Sequence, residues 1–195
     1  HMHAVGAHFI LDDIVTGRFA PVGALQYYSN ILGEKIQADF VTLGKHIATY
    51  GKVSVLLGPL DIMNALADKV FASYTFNDHP FGFADSLWTL SEYEKYSHDI
   101  YDEDGKLHMV GNMLKNELNV LFTENGFPAK VVGHPSRSAV FPSDNSGKLR
   151  EFESKLVDEF DILIHLPNFC TLAHSESHVA KTVDASRKIL QSMGY

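Results

Sequence analysis

Leu107, Val110, Leu114, Leu118 and Leu121 recur at three- and four-residue intervals, and the run stops at Gly126 with Pro128 beyond. This spacing lines the apolar side chains along one face of a helix. Its end is marked by a glycine free to turn left-handed and a proline that cannot continue the helix. Such a face has to be covered by another layer. The following residues supply one: Lys130–Val132 and Ser138–Phe141 read as strands, Leu149, Phe152, Leu156 and Phe160 as a second helical stripe, and Ile162–Leu166 as a further strand. Ser175 is placed to cap a last helix running to about Gln191, with Val179 and Val183 turned inward. The expectation is a small α/β layer domain over residues 101–195. A polar, turn-rich stretch from Tyr96 to Gly105 separates it from residues 3–100.

The first part is punctuated differently. Ala7–Leu11 is a short apolar run stopped by Asp12-Asp13, which is how a buried central parallel strand ends at a ligand crevice. Val41–Leu43 and Val53–Leu57 are further strand candidates on either side of Lys45, which falls in a loop. Asp61–Val70 has helical spacing, and Pro80 is suited to start a largely buried helix carrying Ala84, Leu87, Trp88 and Ser91. His1 reads as a cloning remnant ahead of a start methionine, Met2, with no signal peptide after it.

A formal net charge of -8 argues against nucleic acid or an anionic membrane surface as a partner. One cysteine, Cys170, cannot form an internal disulfide, and no apolar run approaches a membrane span. A reducing, cytoplasmic setting follows as the expectation. Three chemistry-bearing residues stand out: Asp12 at a strand end, Lys45 after a glycine, and Thr75 in a polar loop before a helix. By position alone, such an aspartate is more often a turn cap and such a lysine a solvated surface group.

The order of four segments adds to this. Leu11-Asp12-Asp13-Ile14-Val15-Thr16-Gly17-Arg18 resembles the Phe-Asp-Glu-Val-Met-Thr-Gly-Phe-Arg segment of the class III, fold-type I aminotransferases, which use pyridoxal 5'-phosphate (PLP). Ala38-Asp39-Phe40-Val41-Thr42-Leu43-Gly44-Lys45 is similar to their Pro-Asp-Leu-Thr-Thr-Leu-Gly-Lys, and Leu57-Gly58-Pro59-Leu60-Asp61-Ile62-Met63 to their Gly-Gly-Arg-Arg-Asp-Ile-Met. Tyr74-Thr75-Phe76-Asn77-Asp78-His79-Pro80 stands where the family has Gly-Thr-Leu-Ser-Gly-Asn-Pro, and Ala173-His174-Ser175-Glu176-Ser177-His178 resembles its Ala-His-Thr-Glu-Glu-Asp. The pattern lies nearest to glutamate-1-semialdehyde aminomutase.

This resemblance implies an α/β fold: the C-terminal part of a fold-type I large domain, followed by the small C-terminal domain. It implies PLP as cofactor, Lys45 as the Schiff-base lysine, Asp12 on the pyridine nitrogen, and Thr75 on the phosphate of the neighbouring subunit's site, hence a homodimer. The expected substrate is a small amino acid or amino aldehyde, and the reaction a transamination or a 1,2-amino shift. The family's first half, with its phosphate loop and most substrate contacts, is not among these residues, so a separately encoded N-terminal half is an expected partner. The alternative is a noncatalytic homologue serving as an assembly or dimerisation module.

Two further residues have competing readings. Arg137 can bind a substrate carboxylate bidentately, although a surface arginine at a strand edge is the commoner case. His174 and His178 have the i, i+4 spacing of helix-borne metal ligands but lack a third ligand at fixed spacing, so a solvated helix start is expected, with no metal. Cys170 is expected to be a packing residue. The sequence departs from the family after Lys45, where His46-Ile47-Ala48-Thr49-Tyr50-Gly51 replaces a glycine run, and after Thr75, where Asp78-His79 replaces glycine and asparagine.

Overall fold

Two parallel strands, β1 (Ile10–Asp12) and β2 (Phe40–Leu43), begin the fold, with Ile10, Leu11 and Asp12 in register with Phe40, Val41 and Thr42. The connection between them carries α1 (Gly23–Leu32), whose end is set by Gly33 in the left-handed region at φ 69°. β3 (Val55–Leu57) adds antiparallel to β2, so the order is β1-β2-β3. The computed structural model describes residues 3–50, 53–67, 69–71, 80–164 and 167–195. Chain contacts divide it into two units, His1–Ser97 and His98–Tyr195.

The first unit differs from the sequence expectation in two places. The strand expected at Ala7–Leu11 forms over Ile10–Asp12 but is not buried: Ile10 is 60% exposed, and β1 pairs only with β2 among the described residues. The helix starting at Pro80, α3 (Pro80–Lys95), is turned inside out relative to its composition. Ala84, Leu87, Trp88 and Ser91 are all exposed, while Gly82, Asp85, Ser86 and Thr89 are buried. The reason lies in the contacts of its polar face, where Asp85 accepts the Tyr50 backbone N–H at 2.9 Å and the Thr89 and Thr49 hydroxyls meet at 2.8 Å. Those hydrogen bonds are satisfied only if the polar stripe faces the loop after Lys45. α2 (Leu60–Ala67) overlaps the expected Asp61–Val70 helix and begins one residue before it.

The second unit holds the larger core. α5 (Lys106–Glu124) follows the short α4 (Ser97–Tyr101), and it lies on the hairpin of β4 (Ala129–His134) and β5 (Arg137–Pro142). Asn119 on α5 brackets Val131 on β4, donating to its carbonyl at 2.9 Å and accepting its N–H at 2.8 Å. Gly111 allows α5 to approach the hairpin turn, since a Cβ there would lie 2.7 Å from the Pro135 carbonyl carbon. α6 (Lys148–Phe160) and α7 (Glu176–Ser192) complete the layer, with Phe122, Phe127 and Phe152 meeting at centroid distances of 5.2, 5.5 and 5.2 Å. Val179 and Val183 are buried as the spacing requires, and Cys170 is buried within the same core.

The strand expected at Ile162–Leu166 does not form over its described residues; a two-residue strand, β6 (Asn168–Phe169), pairs with β5 instead. Asp161 sits in the left-handed region at φ 55°, and the Ile162 N–H reaches back to the Leu156 carbonyl at 3.1 Å. The chain is still closing α6 where a strand would begin. No helix among the described residues is long and apolar enough to cross a membrane.

Between α5 and the hairpin, His108 and His134 are buried with their rings 5.0 Å apart, edge to face. Burial holds His108 below the ordinary histidine value, outweighing the opposing pull of Glu103 and Asp102. The unfolded chain therefore takes up its proton first as pH falls. Stability contributed by neutral His108 is present above about pH 6.5 and lost as pH drops from there towards the lower folded value. Urea midpoints followed from pH 8 to 5 are expected to fall more steeply in the wild type than in His108→Gln.

Candidate functional site

The C-terminal ends of two adjacent parallel strands form one edge, which is where open α/β sheets bind ligands. Asp12 is the last residue of β1, and Lys45 follows β2 by two residues, opening a 3₁₀ turn over Lys45–Ile47. Both side chains are exposed. Asp12 Oδ1 accepts the Ile14 N–H at 3.1 Å, which starts the turn out of the strand. Lys45 makes no ion pair with any described residue.

The neighbouring Asp13, at 2% exposure, is the opposite case. Its Oδ1 accepts the Thr16 hydroxyl at 2.5 Å and its Oδ2 the Ala24 N–H at 3.0 Å, so one carboxylate holds the loop and the first turn of α1. Gly23, at φ 74°, lies so close beneath Asp13 Oδ2 that no side chain fits there. Of two adjacent aspartates, one builds the edge and the other faces outward from it.

The loop after β1 and the turn after β2 interlock through glycines. A Cβ on Gly44 would lie 2.9 Å from Ile14 Cδ1. A Cβ on Gly17 would lie 2.9 Å from His46 Nδ1, with Cε1 and Nε2 closer still. His46 Nδ1 is 3.3 Å from the Ile14 carbonyl, and the Tyr93 hydroxyl donates to the His46 carbonyl at 2.8 Å. Asp85, Thr89 and Tyr93 are spaced i, i+4, i+8 on α3 and together hold the backbone from His46 to Tyr50. Burial lowers the His46 pKa and raises that of Tyr93, so both are neutral hydrogen-bonding groups here.

The sequence analysis did not single out Asp13, His46 or the polar stripe of α3. The stripe had a legible signal, Asp85, Thr89 and Tyr93 at four-residue spacing along one face of α3. Thr75 lies outside the described residues. Arg137 belongs to the second unit; it opens β5, between His134 of β4 and Phe169 of β6, and its half-buried side chain has an Nε with no hydrogen-bond partner among the described residues. His174 and His178 do not cluster with a third ligand among the described residues. His174 Nδ1 accepts the Thr171 N–H at 3.1 Å and His178 Nδ1 the Ser175 N–H at 3.2 Å, which makes both part of the start of α7.

An amine and a carboxylate on one strand edge suit a cofactor with an aldehyde at one end and a ring nitrogen across from it, which is the donor set PLP requires. Relatives are found among aminomutases and aminotransferases. The chain is 28% identical to a glutamate-1-semialdehyde 2,1-aminomutase of Hyperthermus butylicus over 96% of its length and 46% of the relative's. It is 29% identical to a 3-aminobutyryl-CoA aminotransferase of Cloacimonas acidaminovorans over 93% of its length and 43% of the relative's. Among solved structures, an omega-transaminase from Sphaerobacter thermophilus superposes with a TM-score of 0.76 at 19% identity, covering 100% of this chain and 46% of that one.

The chain matches the C-terminal half of the class III, fold-type I aminotransferases. It spans about half the length of the curated relatives it matches. The FumI protein of Sphingopyxis sp. MTA144, solved as its PLP internal aldimine form, shares the fold with a TM-score of 0.78 at 21% identity over 98% of this chain and 44% of that one. No protein-family model matches the sequence. The α/β architecture is thus part of the fold-type I transferase fold.

Proposed function

We propose that this chain supplies the lysine and the acid of a PLP site in an enzyme that transfers or shifts an amino group on a small amino acid or amino aldehyde. The observation carrying this reading is the placement of Asp12 and Lys45 at the ends of neighbouring parallel strands, with their loops locked together through Gly17 and Gly44. When bound, PLP supplies an electron sink for negative charge at the substrate carbon that loses a proton. The Lys45 amine would hold the cofactor through its aldehyde carbon, and as a free amine would move a proton at the substrate Cα. The Asp12 carboxylate keeps the pyridine nitrogen protonated through a charge-assisted hydrogen bond.

The remaining assignments rest on the resemblance. The first unit is the second half of the PLP-binding large domain and the second is the small C-terminal domain. Thr75 binds phosphate across a dimer of cytoplasmic enzyme, Arg137 takes the substrate carboxylate, and a separate N-terminal half supplies the other contacts. A second reading, a noncatalytic assembly module, is favoured by one observation, the apolar outer side of α3 with Phe81, Leu87 and Trp88 exposed.

An absorbance titration of the purified chain with PLP, followed by borohydride reduction, tests the first reading. The wild type is expected to develop a band near the visible edge that becomes a covalent label on the Lys45 peptide, and Lys45→Ala to lose both. Identical spectra for the two proteins, with no label, refute a cofactor site formed by this chain alone, and the same result with the separate N-terminal half added leaves the assembly module.

A further inference from the structure

Apart from its backbone links, the Lys45 turn is joined to the Asp12 loop by side chains seated over glycines, and the two seats are reciprocal. Ile14, two residues after Asp12, fills the space over Gly44, and His46, next to Lys45, fills the space over Gly17. The isoleucine contact is apolar and can slide. The histidine contact adds direction, because Nδ1 lies 3.3 Å from the Ile14 carbonyl and an imidazole nitrogen facing a carbonyl has to be the donor. The backbone of the same residue is fixed from the other side by the Tyr93 hydroxyl, and Ile47 behind it is buried. His46 is thus held at ring and backbone by two different elements while its neighbour, Lys45, stays exposed.

We propose that His46 is a positioning residue that sets the Lys45 amine relative to the Asp12 carboxylate by tying the two strand-end loops together. The inference rests on the proposed PLP site for its consequence, and on the contacts of the ring alone for the tie itself. Burial lowers its pKa against the opposing pull of the Ile14 carbonyl and Asp13, consistent with a neutral Nδ1–H donor. Misplacing a reacting group by about 1 Å can cost on the order of 10²-fold, so a loosened turn is expected to show in cofactor capture.

The test compares His46→Ala, His46→Asn and His46→Gln in two measurements. Asparagine can place a donor where Nδ1 stands, whereas glutamine places it one bond further out. In the PLP titration, His46→Ala and His46→Gln are expected to weaken the Lys45-dependent band by roughly tenfold or more in apparent affinity, and His46→Asn to restore most of it. Without cofactor, amide exchange at Gly17 and Ile47 is expected to speed up in the first two variants and return towards wild type in the third. Wild-type affinity and exchange in His46→Ala overturn the proposal, as does equal behaviour of the asparagine and glutamine variants should the alanine variant not fold. If the wild type itself shows no Lys45-dependent band, the cofactor reading fails, and the exchange data alone decide whether the tie exists.

Discussion

Asp12→Ala is expected to lower amino-group turnover by roughly 10²- to 10³-fold, the size of effect seen when one electrostatic stabiliser of developing charge is removed. The carboxylate is exposed at the end of β1 and its one hydrogen bond among the described residues is to the Ile14 N–H, so the fold should tolerate the change. Lys45 is untouched in this variant, so the borohydride-reducible label on its peptide is expected to persist while turnover falls. Asp12→Asn keeps the turn but not the charge, and should behave like alanine in turnover. Stopped-flow assays with an amino donor, beside the labelling experiment, check this split. Retention of full turnover by Asp12→Ala would remove the residue from the site.

The largest effect on stability is expected at Phe152. Its side chain is completely buried, with rings of Phe122 and Phe127 at 5.5 and 5.2 Å. Truncation to alanine leaves a cavity in a core made by α5, α6 and α7, and a loss of about 3–5 kcal/mol is the usual cost. Urea unfolding followed by near-ultraviolet circular dichroism measures it. The lowered midpoint should accompany normal amide exchange at Gly17 and Ile47, because those residues belong to the first unit and Phe152 to the second.

The three long helices and the hairpin of the second unit were legible because each carried a redundant signal. The stripe from Leu107 to Leu121 was periodic and punctuated, and it became α5. Ser175 did mark the start of α7, with His178 rather than an acid turning back to the Ser175 N–H. Where only one signal was present, competing interactions won. Ile162–Leu166 had the composition of a strand, but closure of α6 took up Asp161 and Ile162 at its start. Leu87 and Trp88 had the hydrophobicity of core residues. Yet the hydrogen bonds of Asp85, Thr89 and Tyr93 turned their side of α3 outward.

For the site, the sequence by itself determined which chemistry was on offer. The amine, the carboxylate and their order along the chain are covalent facts, and the resemblance to a PLP-using family follows from them. The tertiary structure decided which of two adjacent aspartates faces the edge. Alternation along a strand sends successive side chains to opposite sides, and only one side holds the Thr16 hydroxyl and the Ala24 N–H that take up Asp13. It also decided what His46 does. A histidine after a lysine has no meaning in one dimension; it acquires one when a glycine 29 positions earlier, Gly17, leaves room for its ring and a carbonyl nearby accepts its proton. Such a pairing depends on space left between two loops, and space of that kind exists only once the parallel strands have brought them side by side.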